Sequence, residues 1–237
     1  MDIPRTKSGI EGLDEILNGG IPTGASVLVA GGPGTGKSIL SLQFLYNGAV
    51  QFKEPGILIT FETTQKNIRW MMDSFGWDLE SLQDENMLKI YSIKPTSPEA
   101  FIQRIDKEIL GIEALAHEMG AKRLVIDSTT ALGVWLESPA IIRYRLFDLI
   151  ERLKNLGTTS LLTAEVGSTE ASALSAFGVE EFITDGVLPL FYKPPNRSIF
   201  VRKMRGTKHS QKIHPITIDE KGFTIKHKEE IFWESLK

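Results

Sequence analysis

Ser26-Val27-Leu28-Val29-Ala30-Gly31-Gly32-Pro33-Gly34-Thr35-Gly36-Lys37-Ser38-Ile39-Leu40-Ser41-Leu42-Gln43-Phe44-Leu45 is the stretch on which the reading of this chain turns. The run Ser26 to Ala30 reads as a buried strand, and Ser38 to Leu45 reads as a helix. Between them, Gly31 to Ser38 has the spacing G-x-x-x-x-G-K-[ST] of a phosphate-binding loop. At average composition this pattern should arise by chance in on the order of one in a hundred chains of this length, and the strand before and helix after make chance rarer. The chemistry needs these residue types. Glycines let successive backbone N–H groups converge on phosphate oxygens, and a helix N-terminus adds the positive end of its dipole. Lys37 can bring a charge to β- and γ-phosphates, and the Ser38 hydroxyl is short enough to ligate Mg²⁺. The expected ligands are ATP or ADP with Mg²⁺, bound by Gly32, Pro33, Gly34, Thr35, Gly36, Lys37, Ser38 and Ile39.

Outward from this loop the sequence alternates. Short apolar, β-rich runs at Ser26 to Ala30, Ile57 to Phe61, Leu88 to Ser92, Arg123 to Ile126 and Ser160 to Thr163 are mostly separated by helical patterns. That order predicts an α/β fold with a largely parallel twisted sheet flanked by helices. In Gln65 to Phe75, Ile68, Met71, Met72 and Phe75 form one buried stripe, which makes the two methionines core residues. Ile142, Leu146, Leu149, Leu153 and Leu156 form a longer stripe ended by Gly157. After Gly186 come strand-like segments without helices between them, Val187 to Tyr192, Ser198 to Met204 and Ile213 to Ile218, expected to extend the sheet as C-terminal antiparallel strands. No low-complexity segment or repeat divides residues 1–237, so a single domain is expected.

Two carboxylates end apolar strands. Leu124-Val125-Ile126-Asp127 closes on an Asp, which at the C-terminal edge of such a sheet is positioned to act on Mg²⁺. Ile57-Leu58-Ile59-Thr60-Phe61-Glu62 closes on a Glu that has two readings. It can polarise the water that attacks the γ-phosphate, or it can belong to the start of a following helix capped by Thr63 or Thr64.

Composition removes several classes. With 27 basic and 30 acidic residues the net charge is -3, which argues against a protein whose main task is to coat nucleic acid. There is no cysteine, so disulfides, thiolate zinc sites and cysteine nucleophiles are excluded. The four histidines, His117, His209, His214 and His227, have no metal-ligand spacing. No apolar run reaches the ~18 residues of a membrane span, and the first residues lack a leader's apolar segment. A cytoplasmic protein with no membrane partner is expected.

With these sites in order, the chain resembles the RecA superfamily, specifically the KaiC-like ATPases. The resemblance is carried by Ser8-Gly9-Ile10-Glu11-Gly12-Leu13-Asp14-Glu15-Ile16 with Gly19-Gly20-Ile21-Pro22, by Thr60-Phe61-Glu62-Thr63-Thr64 with Ser74-Phe75-Gly76-Trp77-Asp78-Leu79, by Val125-Ile126-Asp127-Ser128, by Gly178-Val179-Glu180-Glu181-Phe182, and by Lys203-Met204-Arg205-Gly206-Thr207-Lys208-His209. It implies a RecA-like core and an ATPase whose catalytic residues are Glu62, Lys37, Lys203 and Arg205, with Ser38 and Asp127 at the metal. Glu62 falls on the family's water-activating glutamate. The family usually has two adjacent glutamates there, whereas Thr63 follows Glu62 here, which implies slower turnover or a different proton path. Lys203 and Arg205 fall on basic residues that reach the γ-phosphate held by a neighbouring subunit, and the resemblance therefore implies a homo-oligomeric, hexameric ring. Timekeeping relatives carry two such domains and a phosphorylated Ser-Thr pair. Here the matching neighbourhood reads Glu180-Glu181-Phe182, so that role is not expected.

Three functions follow as expectations: a ring ATPase acting on a protein client, a RadA-like DNA-binding recombination factor, and a regulator that binds nucleotide with little turnover. DNA binding is not favoured. Between Val166 and Tyr192 lie Glu170, Glu180, Glu181 and Asp185 with no Lys or Arg, and the other candidate DNA loop, Gly133 to Arg145, offers only Arg143 and Arg145.

Overall fold

The computed structural model describes residues 3–94, 97–136, 138–166 and 175–232. Its strands are β1 (Arg5–Thr6), β2 (Ile21–Pro22), β3 (Ser26–Gly31), β4 (Gly56–Thr60), β5 (Leu88–Ser92), β6 (Arg123–Asp127), β7 (Thr159–Glu165), β8 (Gly186–Lys193), β9 (Asn196–Ile199), β10 (Lys203–Met204), β11 (His214–Asp219) and β12 (Gly222–Ile225). Its helices are α1 (Leu13–Ile16), α2 (Lys37–Phe52), α3 (Gln65–Asp73), α4 (Leu79–Asp84), α5 (Pro98–Met119), α6 (Leu132–Trp135), α7 (Pro139–Asn155) and α8 (Glu180–Ile183).

The main sheet runs β12-β11-β9-β8-β3-β7-β6-β4-β5, with β10 also on β8. From β8 to β5 its pairs are parallel, and β9 to β12 continue it antiparallel. Along β3, Val27 and Val29 pack on one face with α2, α3 and α4, while Leu28 and Ala30 pack on the other with α5 and α7. β4 and β6 divide in the same way, Leu58 and Val125 to the first face, Ile57, Ile59, Leu124 and Ile126 to the second. This two-sided burial is why those strands read as continuous apolar runs rather than as alternations. Met72 is buried and Met71 packs partly against the same cluster, as the stripe predicted.

Three boundaries differ from the sequence reading. Gly133 to Arg145 is not a loop but largely helix, spanning α6 and the start of α7, where Ser138-Pro139 opens the helix with Pro in its first turn. Ser198 to Met204 is two short strands, β9 and β10. The reason is Pro189 in β8: Phe200 N donates to Pro189 O at 3.3 Å, and no return bond exists because Pro189 has no N–H. β12 adds a strand that closes a hairpin with β11.

The N-terminal segment is tied to late parts of the chain. Arg5 donates to Thr207 Oγ1 at 2.7 Å and to Gly206 O at 3.0 Å, and the Thr6 and Thr159 hydroxyls are 2.8 Å apart. Ile225 N donates to Glu11 O, and Ser210 N to Ile16 O. Gly12 is required at one such junction. Its φ is +84°, and a Cβ there would lie 2.1 Å from Ile225 O.

Candidate nucleotide site

β3, β7, β6 and β4 end at one edge of the sheet, and their register assembles the site. Gly31 is level with Glu165, and Thr60 with Asp127. The loop after β3 turns into α2 through Gly36 (φ +101°), where a Cβ would meet Ile218 and Phe223 of the β11–β12 hairpin at 2.8 and 3.0 Å. Gly36 caps α2 without any side-chain hydrogen bond, and the first intrahelical bond is Leu40 N to Gly36 O. The N–H groups of Lys37, Ser38 and Ile39 therefore have no helical acceptor, which is the arrangement an anion needs.

Lys37 is 7% exposed and donates to Gly31 O at 2.8 Å and Gly32 O at 2.9 Å. Its ammonium is 4.0 Å from Glu165. Burial lowers its pKa from the usual lysine value, opposed by the charges of Glu165 and Asp127. Thr35 is buried and its hydroxyl closes the loop on Gly32 O at 2.8 Å. Pro33 and Gly34 stand exposed at the loop's tip, with Gly32 half-buried below them.

Asp127 ends β6, and its Oδ1 accepts from Thr163 Oγ1 at 2.5 Å. Among the described residues no three His, Cys, Asp or Glu side chains converge on a metal position. A Mg²⁺ here fits as an ion carried mainly by nucleotide phosphates and water, with the Ser38 hydroxyl and Asp127 supplying hard oxygen donors. Glu62 lies just past β4. Thr64, not Glu62, caps α3, its hydroxyl accepting from Asn67 N at 3.2 Å. Glu62 is thus outside the helix. Its side chain is exposed in area, yet its carboxyl is held above the usual range, by loss of solvation first and by Glu165 and Asp127 second.

Lys203 and Arg205 are elsewhere. Lys203 pairs with Val187, which is level with Leu28, and Arg205 N donates to Asp185 O at the start of β8. At ~3.3 Å per residue along a strand, the rise from there to Gly31 is roughly 10–16 Å. Both side chains turn to the end of α8. Lys203 Nζ donates to Glu181 O and Thr184 O at 2.7 and 2.6 Å, and Arg205 pairs with Asp185 at 3.1 Å. Burial first, then the neighbouring Arg205, lowers the Lys203 pKa.

Sequence reasoning did not reach Glu165, Tyr192 or Arg197. The Arg197 guanidinium lies over the Tyr192 ring, 4.2 Å from its centroid, and donates to Gly34 O at 2.8 Å. Of the acidic residues weighed against DNA, Glu170 lies outside the described residues. Glu180 is 1% exposed and accepts from the backbone N–H groups of Ala176, Phe177 and Val179, so it offers little charge to the surface. Asp185 is paired with Arg205 and Lys154. Among the described residues, no helix is long and apolar enough to cross a membrane.

A parallel sheet with a glycine-rich loop at the edge of an inner strand, an uncapped helix behind it and carboxylates on the neighbouring strand ends defines a RecA-type phosphate-loop nucleotide-binding domain. The family model described as "ATPase: KaiC" matches residues 6–230. The chain belongs to this KaiC ATPase family. It is 38% identical to the circadian clock oscillator protein KaiC of Synechococcus elongatus over 94% of its own length and 44% of that protein's. With KaiC of a Nostoc species the identity is 39%, covering 94% and 44%. The chain thus spans less than half the length of these relatives. The crystal structure of a KaiC-like protein from the hyperthermophilic archaeon Pyrococcus horikoshii OT3 matches with a TM-score of 0.85 and 37% identity, covering 94% of this chain and 99% of that one.

Proposed function

We propose that this chain is a Mg²⁺-dependent ATPase that assembles head to tail into a hexameric ring, with each nucleotide held between subunits, and that the ring acts on a protein client. One subunit supplies Lys37, Ser38, Asp127 and Glu62; its neighbour supplies Lys203 and Arg205. The observation that carries this reading is the level of the basic pair. It lies roughly 10–16 Å from the subunit's own phosphate loop along the sheet and faces α8. A cation that stabilises charge on a γ-phosphate must reach it, so in that role the pair serves a neighbour's loop.

Mixing tests this directly. Lys37→Ala should be inactive because it fails to bind ATP, and Arg205→Ala should bind ATP but turn over at least ~10³-fold more slowly, as loss of an arginine finger does. Subunit exchange between the two inactive proteins should restore activity, since some boundaries then join an intact loop to an intact Arg205. Mixed rings, verified by mass, that stay inactive would falsify the assignment. A second reading rests on Thr63, whose backbone N–H donates to Thr60 Oγ1 and whose side chain supplies no second carboxylate beside Glu62. There the bound nucleotide acts as a switch with little turnover. Phosphate release from the purified wild type under saturating ATP separates the two readings.

A further inference from the structure

Two side chains of the β8–β9 hairpin converge on the tip of the phosphate loop. Tyr192 and Arg197 face each other across that hairpin. The Arg197 guanidinium stacks over the Tyr192 ring at 4.2 Å, and its Nε donates to Gly34 O at 2.8 Å. Tyr192 also closes on the loop itself: a Cβ on Gly34 would lie 3.4 Å from Cδ1 of the ring, and Gly34 has φ +75°. The loop's other side-chain bonds, from Thr35 and Lys37, are internal to it. Glu165 stands 4.0 Å from Lys37, and Arg197 reaches the loop from outside by a hydrogen bond to its backbone.

A peptide unit is planar and trans, so its C=O and N–H point in opposite directions. When Arg197 draws the Gly34 carbonyl toward the hairpin, the N–H of Thr35 is fixed on the other side of the same plane. We propose that the Tyr192–Arg197 pair is a positioning device for the phosphate loop, presetting the Thr35 amide for a phosphate oxygen of a nucleoside di- or triphosphate. This rests on the nucleotide-binding reading above and adds to it the residues that preorganise the loop. Arg197 acts through Gly34, and Tyr192 acts through Arg197. Without the brace the loop samples other orientations, and apparent affinity falls by the fraction of time it is competent. ADP and ATP share the phosphates concerned, so both should weaken equally.

Calorimetric titration of the full chain with Mg·ADP and Mg·ATP provides the test. Arg197→Ala should raise both dissociation constants by about tenfold, the low end for a charge-assisted hydrogen bond at an open site. Its melting temperature without nucleotide should match the wild type. Tyr192→Leu should raise both constants by a smaller factor, and the double variant should be no worse than Arg197→Ala, because the tyrosine has nothing left to hold. Arg197→Lys keeps the charge but not the planar group that stacks, so it should recover only part of the loss. Three results would overturn the proposal: unchanged affinities in Arg197→Ala, a double variant whose loss is the product of the two single losses, or full recovery in Arg197→Lys with Tyr192→Leu silent. The last would make Arg197 a mere attracting charge. A wild-type chain that binds neither nucleotide would instead remove the function proposed above.

Discussion

Glu165 stands 4.0 Å from the ammonium of Lys37, and in the function proposed above a γ-phosphate arriving at the loop needs that same ammonium. Carboxylate and phosphate repel each other across it. Glu165 is more than half exposed, so water screens its charge, and the competition should be worth only about fivefold in affinity. Glu165→Gln should therefore tighten ATP binding by about that factor. The same substitution also acts on the rate. As the base of the proposed function Glu62 has to be ionised to accept a proton, and its pKa is raised by loss of solvation, then by Glu165 and Asp127. The rate should consequently fall as pH drops through a value above the ordinary glutamate range. Removing the Glu165 charge should move this fall to lower pH. Glu62→Gln should keep ATP binding and lose ~10² to 10⁴ in turnover, with the acid limb gone. Profiles of kcat against pH for the three proteins check both statements. A limb that stays in place in Glu165→Gln would mean that the two carboxylates do not sense each other.

Arg123 opens β6 and is wholly buried. Its guanidinium reaches Glu54 at 2.7 Å, Phe44 O at 2.8 Å and Lys7 O at 2.6 Å, so it joins α2, the turn before β4 and the N-terminal segment. It also lies over the Phe44 ring, 4.5 Å from its centroid. Arg123→Ala leaves a carboxylate and two carbonyls without their donor as well as a cavity. The expected loss is about 3 kcal/mol of unfolding free energy, read from the urea midpoint at constant slope. What the sequence disclosed at this scale follows from locality. The phosphate loop, the strand ending at Asp127 and the stripe of α3 are contiguous patterns, and each stands where it was expected. Arg123 looks like a surface residue at the head of an apolar run until its partners are known. Glu165 ends β7 two residues beyond the apolar run that marks the strand, so only the register Gly31 to Glu165 discloses that it faces the loop. Tyr192 and Arg197 meet the loop because β8 is neighbour to β3, an order that no local pattern encodes.

For the whole molecule, the function proposed above turns the separation of Lys203 and Arg205 from the phosphate loop into an activity that depends on contact between copies. If each site is completed by a neighbour, dilution must abolish it. Specific activity should fall with protein concentration below the dissociation constant of the assembly, and light scattering should register a fall in mass over the same range. An enzyme complete within one chain has a specific activity independent of dilution. Constant activity alongside falling mass would therefore assign the chemistry to the single subunit and leave the basic pair as a brace for α8, whose last carbonyls it already binds.

The ties of the N-terminal segment bear on how the chain acquires its shape. Arg5 finds its partners at Gly206 and Thr207, and Glu11 is bonded by Ile225. A ribosome adding ~5–20 residues per second takes roughly 10–40 s to make those partners after the first residues have emerged. Throughout that interval these particular bonds cannot form. Loop closures of this length are entropically slow, which makes the closing of these ties a late step in folding. The apolar face formed by Leu13, Ile16, Leu17 and Ile21, all buried in the finished molecule, is then held without these ties until residues 206–225 are made. Until then β3 and α2, made soon after it, are the first elements of its cluster able to cover it.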